Sequence, residues 1–470
     1  MVFSSNLFLY IFLPLVLLLY TLVPNRGRNL LLFTISLAFY SWGSGPIVLL
    51  LLVSILVNYF AGLLIYRAEH TSKPIFVAVA ALNLLLLLYY KYFGFFYAEL
   101  TKALALLSIT LPTTAEIPLP IGISFFTFQA ISYLGEIYRK EHAPARNIVD
   151  YAMYIALFPH LIAGPIVRYS DISDEIRSRL VNLEGVYEGL WRFALGLGKK
   201  VIIANSVGSV ADKIFGLPQA EITTATAWVG AMCYTFQIYF DFSGYSDMAI
   251  GLARMFGFHF PENFNQPYRA TTVTEFWRRW HMSLSRWFRD FVYVPLGGNR
   301  RGPIRTYFNL WIVFILCGLW HGAAWTFVIW GLYHGLLLVV ERTLRNRFNF
   351  ETRGIVGNMT TMLLIMIGWV FFRATDLSQA GLFLSAMFGM NAPSQSSTSA
   401  GINFYLQSEP LAMLFAGALF SWLPLEKLAQ VKASPFLSTL ARSVVIVFLI
   451  FLSAAILANA AFNPFIYFRF

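Results

Sequence analysis

Apolar runs long enough to cross a bilayer recur along the whole sequence, at positions 6–23, 46–66, 74–97 and 442–462. A spanning helix needs roughly 20 mostly apolar residues, and these runs supply them repeatedly. The chain is therefore committed to lipid before any motif is read. Only 12% of the 470 residues are charged, about half the share of a soluble chain, which is too few to cover a water-facing surface. The expected fold class is an all-α polytopic membrane protein of about a dozen spans, some of them short or broken.

The run at 7–23 reads as a retained first span. Residues 1–6 carry no Lys or Arg, and no small-x-small cleavage site follows. Arg26 and Arg28 just after it place the N-terminus outside, and Arg67, Lys73, Arg139, Lys140 and Arg146 fall in later loops on the same, cytoplasmic side. The net charge of +11 resembles a nucleic-acid signal. Cytoplasmic loops of membrane proteins collect Lys and Arg, however, and anionic head groups attract them. No soluble basic domain remains to hold DNA or RNA, so membrane lipid is the expected partner and nucleic acid is not. The two cysteines, Cys233 and Cys317, lie in apolar runs and allow neither a disulfide framework nor a Cys-rich metal site.

No repeat of 20–50 residues is found, and one membrane-embedded domain over 1–470 is expected. Its ends, 1–97 and 359–470, are continuously apolar and read as scaffold. The middle, about 118–341, differs: Gly, Pro, His, Asp and Arg interrupt its apolar runs. Irregular backbone at membrane depth survives only where protein buries it or a wet cavity touches it, so the middle is expected to surround a cavity. The Ser-, Thr- and Pro-rich stretch 391–400 reads as an exposed loop.

Four constellations stand out in the middle. The first runs from Thr272 to Phe291. Thr272 with Glu275 is a capping-box signature for a helix start, and Trp277, His281, Leu284, Phe288 and Phe291 then recur at helical spacing. Arg278, Arg279, Arg286 and Arg289 lie off that stripe, as in a helix lying on the cytoplasmic bilayer surface. That reading leaves His281 on the apolar stripe, where packing and function are both open. The second is His321, in a long apolar stretch whose nearest charges are Arg305 and Glu341. An ionisable side chain there is costly and marks a functional site; His334, nearer a helix end, is read as structural. The third is Asp241 and Asp247 around Ser243 and Gly244, read as structural carboxylates paired with Lys199, Lys200 or Arg168, though Asp241 is also a candidate for substrate binding. The fourth is the turn-rich loop 260–268, whose amides Asn263 and Asn265 either hold an acyl donor or satisfy the loop backbone. There is no His-Glu-x-x-His zinc site, no phosphate loop and no Gly-x-Ser-x-Gly elbow.

At these residues the chain resembles the membrane-bound O-acyltransferase superfamily, and within it the bacterial branch of alginate O-acetylation proteins. The resemblance rests on residues 1–19, Pro120-Ile121-Gly122-Ile123-Ser124-Phe125, residues 158–165 and 239–249, residues 276–285, Leu296-Gly297-Gly298-Asn299-Arg300, Gly318-Leu319-Trp320-His321-Gly322, and residues 464–470. It covers essentially the whole chain. It implies a helical bundle around a transmembrane tunnel, with interfacial or re-entrant helices, and His321 and His281 as the functional histidines. It also implies an acyl thioester, acetyl-CoA or an acyl carrier, arriving from the cytoplasm of a bacterial inner membrane. The acceptor hydroxyl arrives from outside, on polysaccharide or on an esterase-like partner protein. No bound cofactor and no metal are implied.

The chemistry agrees. A thioester carbonyl is already electrophilic, and a hydroxyl near pKa 15 needs a base within hydrogen-bond reach. His321 supplies the base, while His281 orients or polarises the carbonyl or guides the acceptor. Asn263, Asn265 and Trp320 are candidates for holding substrate or the oxyanion. Cys317 precedes His321 by four residues and is read as packing, because a thiol in apolar surroundings is a poor nucleophile. Two rivals remain at this stage: a proton-coupled transporter or flippase using Asp241, Asp247, His281 and His321 as a relay, and a non-catalytic scaffold of an exopolysaccharide complex.

Overall fold

A computed structural model describes residues 2–68, 71–114, 117–390, 401–423 and 435–459. The stretch 391–400 and the terminal motif 464–470 lie outside the described residues. Every regular element in the described residues is helical, as lipid demands of a chain that must satisfy its own backbone. Among the described residues, six helical segments are long and apolar enough to cross a bilayer, against about a dozen expected. Part of the difference lies in apolar helices too short to cross, Phe8–Leu22 and Leu377–Met387, and in the joined segment Asn25–Arg67.

Contacts divide the chain into two compact units, 1–189 with 249–261, and 190–248 with 262–470. The first unit contains α1 Leu13–Leu22, α2 Arg28–Ser44, α3 Val48–Arg67, α4 Ser72–Ala105, α5 Ile123–Tyr138, α6 Ile148–Ala156, the single turn α7 Phe158–Leu161, and α8 Tyr169–Arg177. Gly45 takes a φ of 53° and Pro46 follows, which splits one 43-residue apolar segment into α2 and α3. Polar residues inside these helices are satisfied locally. Asn58 and Asn83 exchange amide hydrogen bonds of 3.1 and 2.8 Å between α3 and α4, the kind of interhelical polar contact that joins helices in lipid. Buried Glu136 accepts from the Ser170 hydroxyl at 2.8 Å. His160 lies 2.7 Å from the Tyr154 carbonyl, so the histidine of the 158–165 motif has a structural bond. The N-terminal motif packs Phe3 and Phe8 against Phe39 and Phe158.

The helix α9 Leu183–Gly198 leads into a π turn, Lys199–Ala204, and then come α10 Asn205–Phe215, α11 Thr224–Met255, α12 Val273–Arg279, α13 Met282–Phe288, α14 Pro303–His321, α15 Trp325–Phe348, α16 Gly354–Arg373 and α17 Leu377–Met387. One expectation is corrected here. Residues 272–291 do not form one helix. Thr272 caps α12 through the Glu275 N–H at 3.1 Å, but the chain extends at Trp280 and enters the left-handed region at His281, with φ 45° and ψ 53°. The capping box is also shifted by one residue, for the Glu275 carboxylate accepts from the backbone N–H of Thr271.

Candidate active site

The second unit builds the site around a helical hairpin. α14 and α15 approach so closely that a Cβ at Gly318 would sit 2.2 Å from the Phe327 carbonyl oxygen, and one at Gly331 would sit 2.3 Å from that of Phe314. Only glycine permits this packing at 318 and 331, and Gly322, which closes the histidine motif, leaves room for the Phe327 ring. His321 is the last residue of α14, 6% exposed. Aromatic rings surround it, with centroids at 4.9 Å for Trp320, 5.3 Å for Trp330 and 5.1 Å for Phe372.

His281 stands beside it, the ring centroids 6.4 Å apart. Its ring meets Phe242 edge-on at 4.7 Å and Trp320 at 5.9 Å. The non-glycine left-handed backbone at His281 costs about 1–3 kcal/mol and persists only where surrounding structure enforces it. Asn263 provides that enforcement. Its carbonyl accepts the Met282 N–H at 2.9 Å, and its Oδ1 accepts the Ser283 hydroxyl at 2.8 Å and the Ser283 N–H at 3.4 Å. The same Oδ1 lies 3.1 Å from His281 Nδ1, and Nδ2 donates to Ser246 Oγ at 3.0 Å. His281 lies outside the six candidate spans, and burial pushes its imidazole down to about 3. It is therefore neutral at physiological pH.

The residues flanking this clamp are held by charge. Arg192 binds Asp247 at 2.7 Å and grips Glu262 with two bonds of 3.0 and 2.6 Å, while Lys199 binds Asp247 at 2.6 Å. Asp241 pairs with Lys200 at 2.6 Å, both side chains 2% exposed. The expected pairing of the carboxylates with Lys199 and Lys200 is thus present. Arg168 belongs to the first unit, where its N–H donates to Asp171.

The structure brings together His321, His281, Trp320 and Asn263 of the candidates read from sequence. Asn265 stands apart: its side chain is exposed, and its N–H donates to the Arg279 carbonyl at 2.9 Å. Asp241 sits in its buried ion pair. Cys317 is buried one turn before His321. His334 is fully buried against Trp277 and Trp330 at 5.0 Å each, and neither ring nitrogen hydrogen-bonds to a described residue. Sequence reasoning missed Ser246, Ser283, Trp330, Phe372 and Arg192. Ser246 and Ser283 fall within motifs that had been singled out, but nothing in their spacing pointed them at one amide. No group of three or more His, Cys, Asp or Glu side chains able to hold a metal occurs among the described residues.

Comparison with known proteins bears on the family to which this chain belongs. The model of the membrane-bound O-acyltransferase family matches residues 34–376. The probable alginate O-acetylase AlgI of Pseudomonas putida is 40% identical over the full length of both chains. That of Pseudomonas aeruginosa is 45% identical over 83% of this chain and 75% of its own. The peptidoglycan O-acetyltransferase of Helicobacter pylori is 37% identical over 84% and 81%. The family match takes in both histidines and the aromatic box around them, and together with the apolar helices it establishes that the chain belongs to the membrane-bound O-acyltransferase family, as a multi-pass membrane acyltransferase.

Proposed function

We propose that the chain transfers an acetyl group from a cytoplasmic thioester, acetyl-CoA or an acyl carrier, to a hydroxyl presented outside a bacterial inner membrane, in the O-acetylation of a polysaccharide. The observation that carries this reading is the pair of buried imidazoles, 6.4 Å apart, in an aromatic box at the end of α14. The hydroxyl oxygen attacks the thioester carbon, His321 takes the hydroxyl proton, and the C–S bond breaks as the proton passes to the departing thiolate. The relatives act on alginate and peptidoglycan by name, which supports a polysaccharide as the final acceptor. An esterase-like extracytoplasmic partner completes delivery where the polymer does not enter directly. Asp247 and Asp241 both sit in ion pairs, which supports a structural role for them rather than a proton relay.

The test is His321→Ala. Loss of a general base costs about 10²–10⁴-fold. We expect normal membrane abundance with polymer acetylation reduced by that factor in complemented cells. Wild-type acetylation at equal abundance would overturn the assignment.

A further inference from the structure

We infer that Asn263 is a positioning residue that locks His281 as the Nδ1–H tautomer, so that Nε2 receives a hydrogen bond from the acyl acceptor and does not donate one to the thioester carbonyl. This rests on the acyl-transfer reading above. The orientation of the Asn263 amide is set by a group that can only donate, the backbone N–H of Ser283, which faces Oδ1 at 3.4 Å. The amide nitrogen on the other side donates to Ser246 Oγ at 3.0 Å. An oxygen facing His281 Nδ1 at 3.1 Å requires the proton to be on Nδ1. A neutral imidazole carries one N–H, so Nε2 presents its lone pair, and that atom is buried with no hydrogen-bond partner among the described residues.

Both sides of the clamp are pinned. Glu262, next to Asn263, and Asp247, next to Ser246, are bound by the same Arg192 guanidinium. The consequence is a division of labour. His281 cannot supply the N–H that an oxyanion needs. The reacting hydroxyl has one proton, which passes to His321, so the group that meets His281 Nε2 is a second O–H or N–H of the acceptor molecule. His281 therefore acts in acceptor binding, with Asn263 behind it.

The test uses the purified full-length protein in detergent, with acetyl-CoA as donor probe and alginate oligosaccharide as acceptor probe. The tautomer is read independently of activity by ¹⁵N NMR of histidine-labelled protein, with His281 assigned by its absence in His281→Gln. A protonated Nδ1 and bare Nε2 support the inference, and the reverse overturns it. This result stands even if no transfer is detected in the wild type, an outcome that would sink the acyl-transfer reading instead. In kinetics, Asn263→Leu should raise the acceptor KM about 3–10-fold, the worth of one neutral hydrogen bond, with the donor KM unchanged. A fall in kcat with the acceptor KM unchanged would overturn the inference.

Asn263→Asp guards against misfolding of the leucine variant. A carboxylate keeps an acceptor for Nδ1–H and favours imidazolium. His321 is the titratable group among the rings against His281, and no charged group contributes to its depression in the wild type. The acceptor KM of Asn263→Asp should therefore climb as pH falls from 8 to 5, where that of the wild type stays level. Matching profiles would overturn the inference.

Discussion

Gly318→Ala tests whether the close hairpin sets the geometry that the proposed acyl transfer needs. A methyl at 318 would lie 2.2 Å from the Phe327 carbonyl oxygen, and the same atom would lie 3.4 Å from the Gly331 nitrogen. The obstacle is backbone, so no rotamer change relieves it. α14 and α15 must part by more than 1 Å to restore ordinary contact. Overpacking of this kind costs about 1–3 kcal/mol. His321 follows three residues later on the same helix, with Trp330 across from it on the facing one. A displacement of about 1 Å at a reacting group costs roughly 10²-fold in rate. We expect a lower thermal midpoint in detergent and about 10²-fold slower acetyl transfer at matched abundance. Gly94→Ala on α4 is the control, since a Cβ there meets nothing within 4 Å, and its midpoint should hold or rise with the better helix former. Gly318→Ala at wild-type rate and midpoint would refute the argument.

Two further outcomes follow from the buried charges and imidazoles. Asp241→Asn leaves the Lys200 ammonium buried beside a neutral amide and should cost about 3–5 kcal/mol in unfolding by SDS titration. Asp241→Asn combined with Lys200→Met should recover much of that loss, because the pair is removed together; no difference between the single and double variants would count against a structural pair. The His281 imidazole is held below its unfolded value of about 6.5, at about 3, so between those values the unfolded chain binds the extra proton. Its contribution to stability is complete above about pH 6.5 and is lost as pH falls toward 3. His281→Phe should flatten the dependence of stability on pH in that window by up to about 1.4 kcal/mol per unit, measured by chemical denaturation, and an unchanged slope would show that the ring is solvated.

Much of the candidate site was legible because its cost was legible. His321 could be singled out from its apolar surroundings alone, and a polar side chain there requires a reason. The interrupted composition of 118–341 matches several short helices, yet α11 runs 32 residues through Gly230, Asp241, Gly244 and Asp247, whose carboxylates find Lys200 and Lys199 as partners. The helical stripe through 272–291 misled for the opposite reason. Trp277, His281, Leu284 and Phe288 keep a helical period, yet they are divided between two short helices whose apolar sides are both buried. Periodicity reports burial and cannot detect one left-handed residue at the junction.

By itself, the sequence determined that this chain is helical, lies in lipid and carries histidines where hydrocarbon makes them costly, because those properties follow from composition and spacing. Only the tertiary structure decided that His281, forty residues before His321, shares its aromatic box, that Asn263 rather than Asn265 turns its amide toward that ring, and that Asp241 has Lys200 as its buried counter-ion. Each of these depends on which turn brings distant segments within hydrogen-bond reach. The two asparagines are chemically identical and two positions apart, so only the path of the backbone between α11 and α12 separates a buried clamp from an exposed side chain.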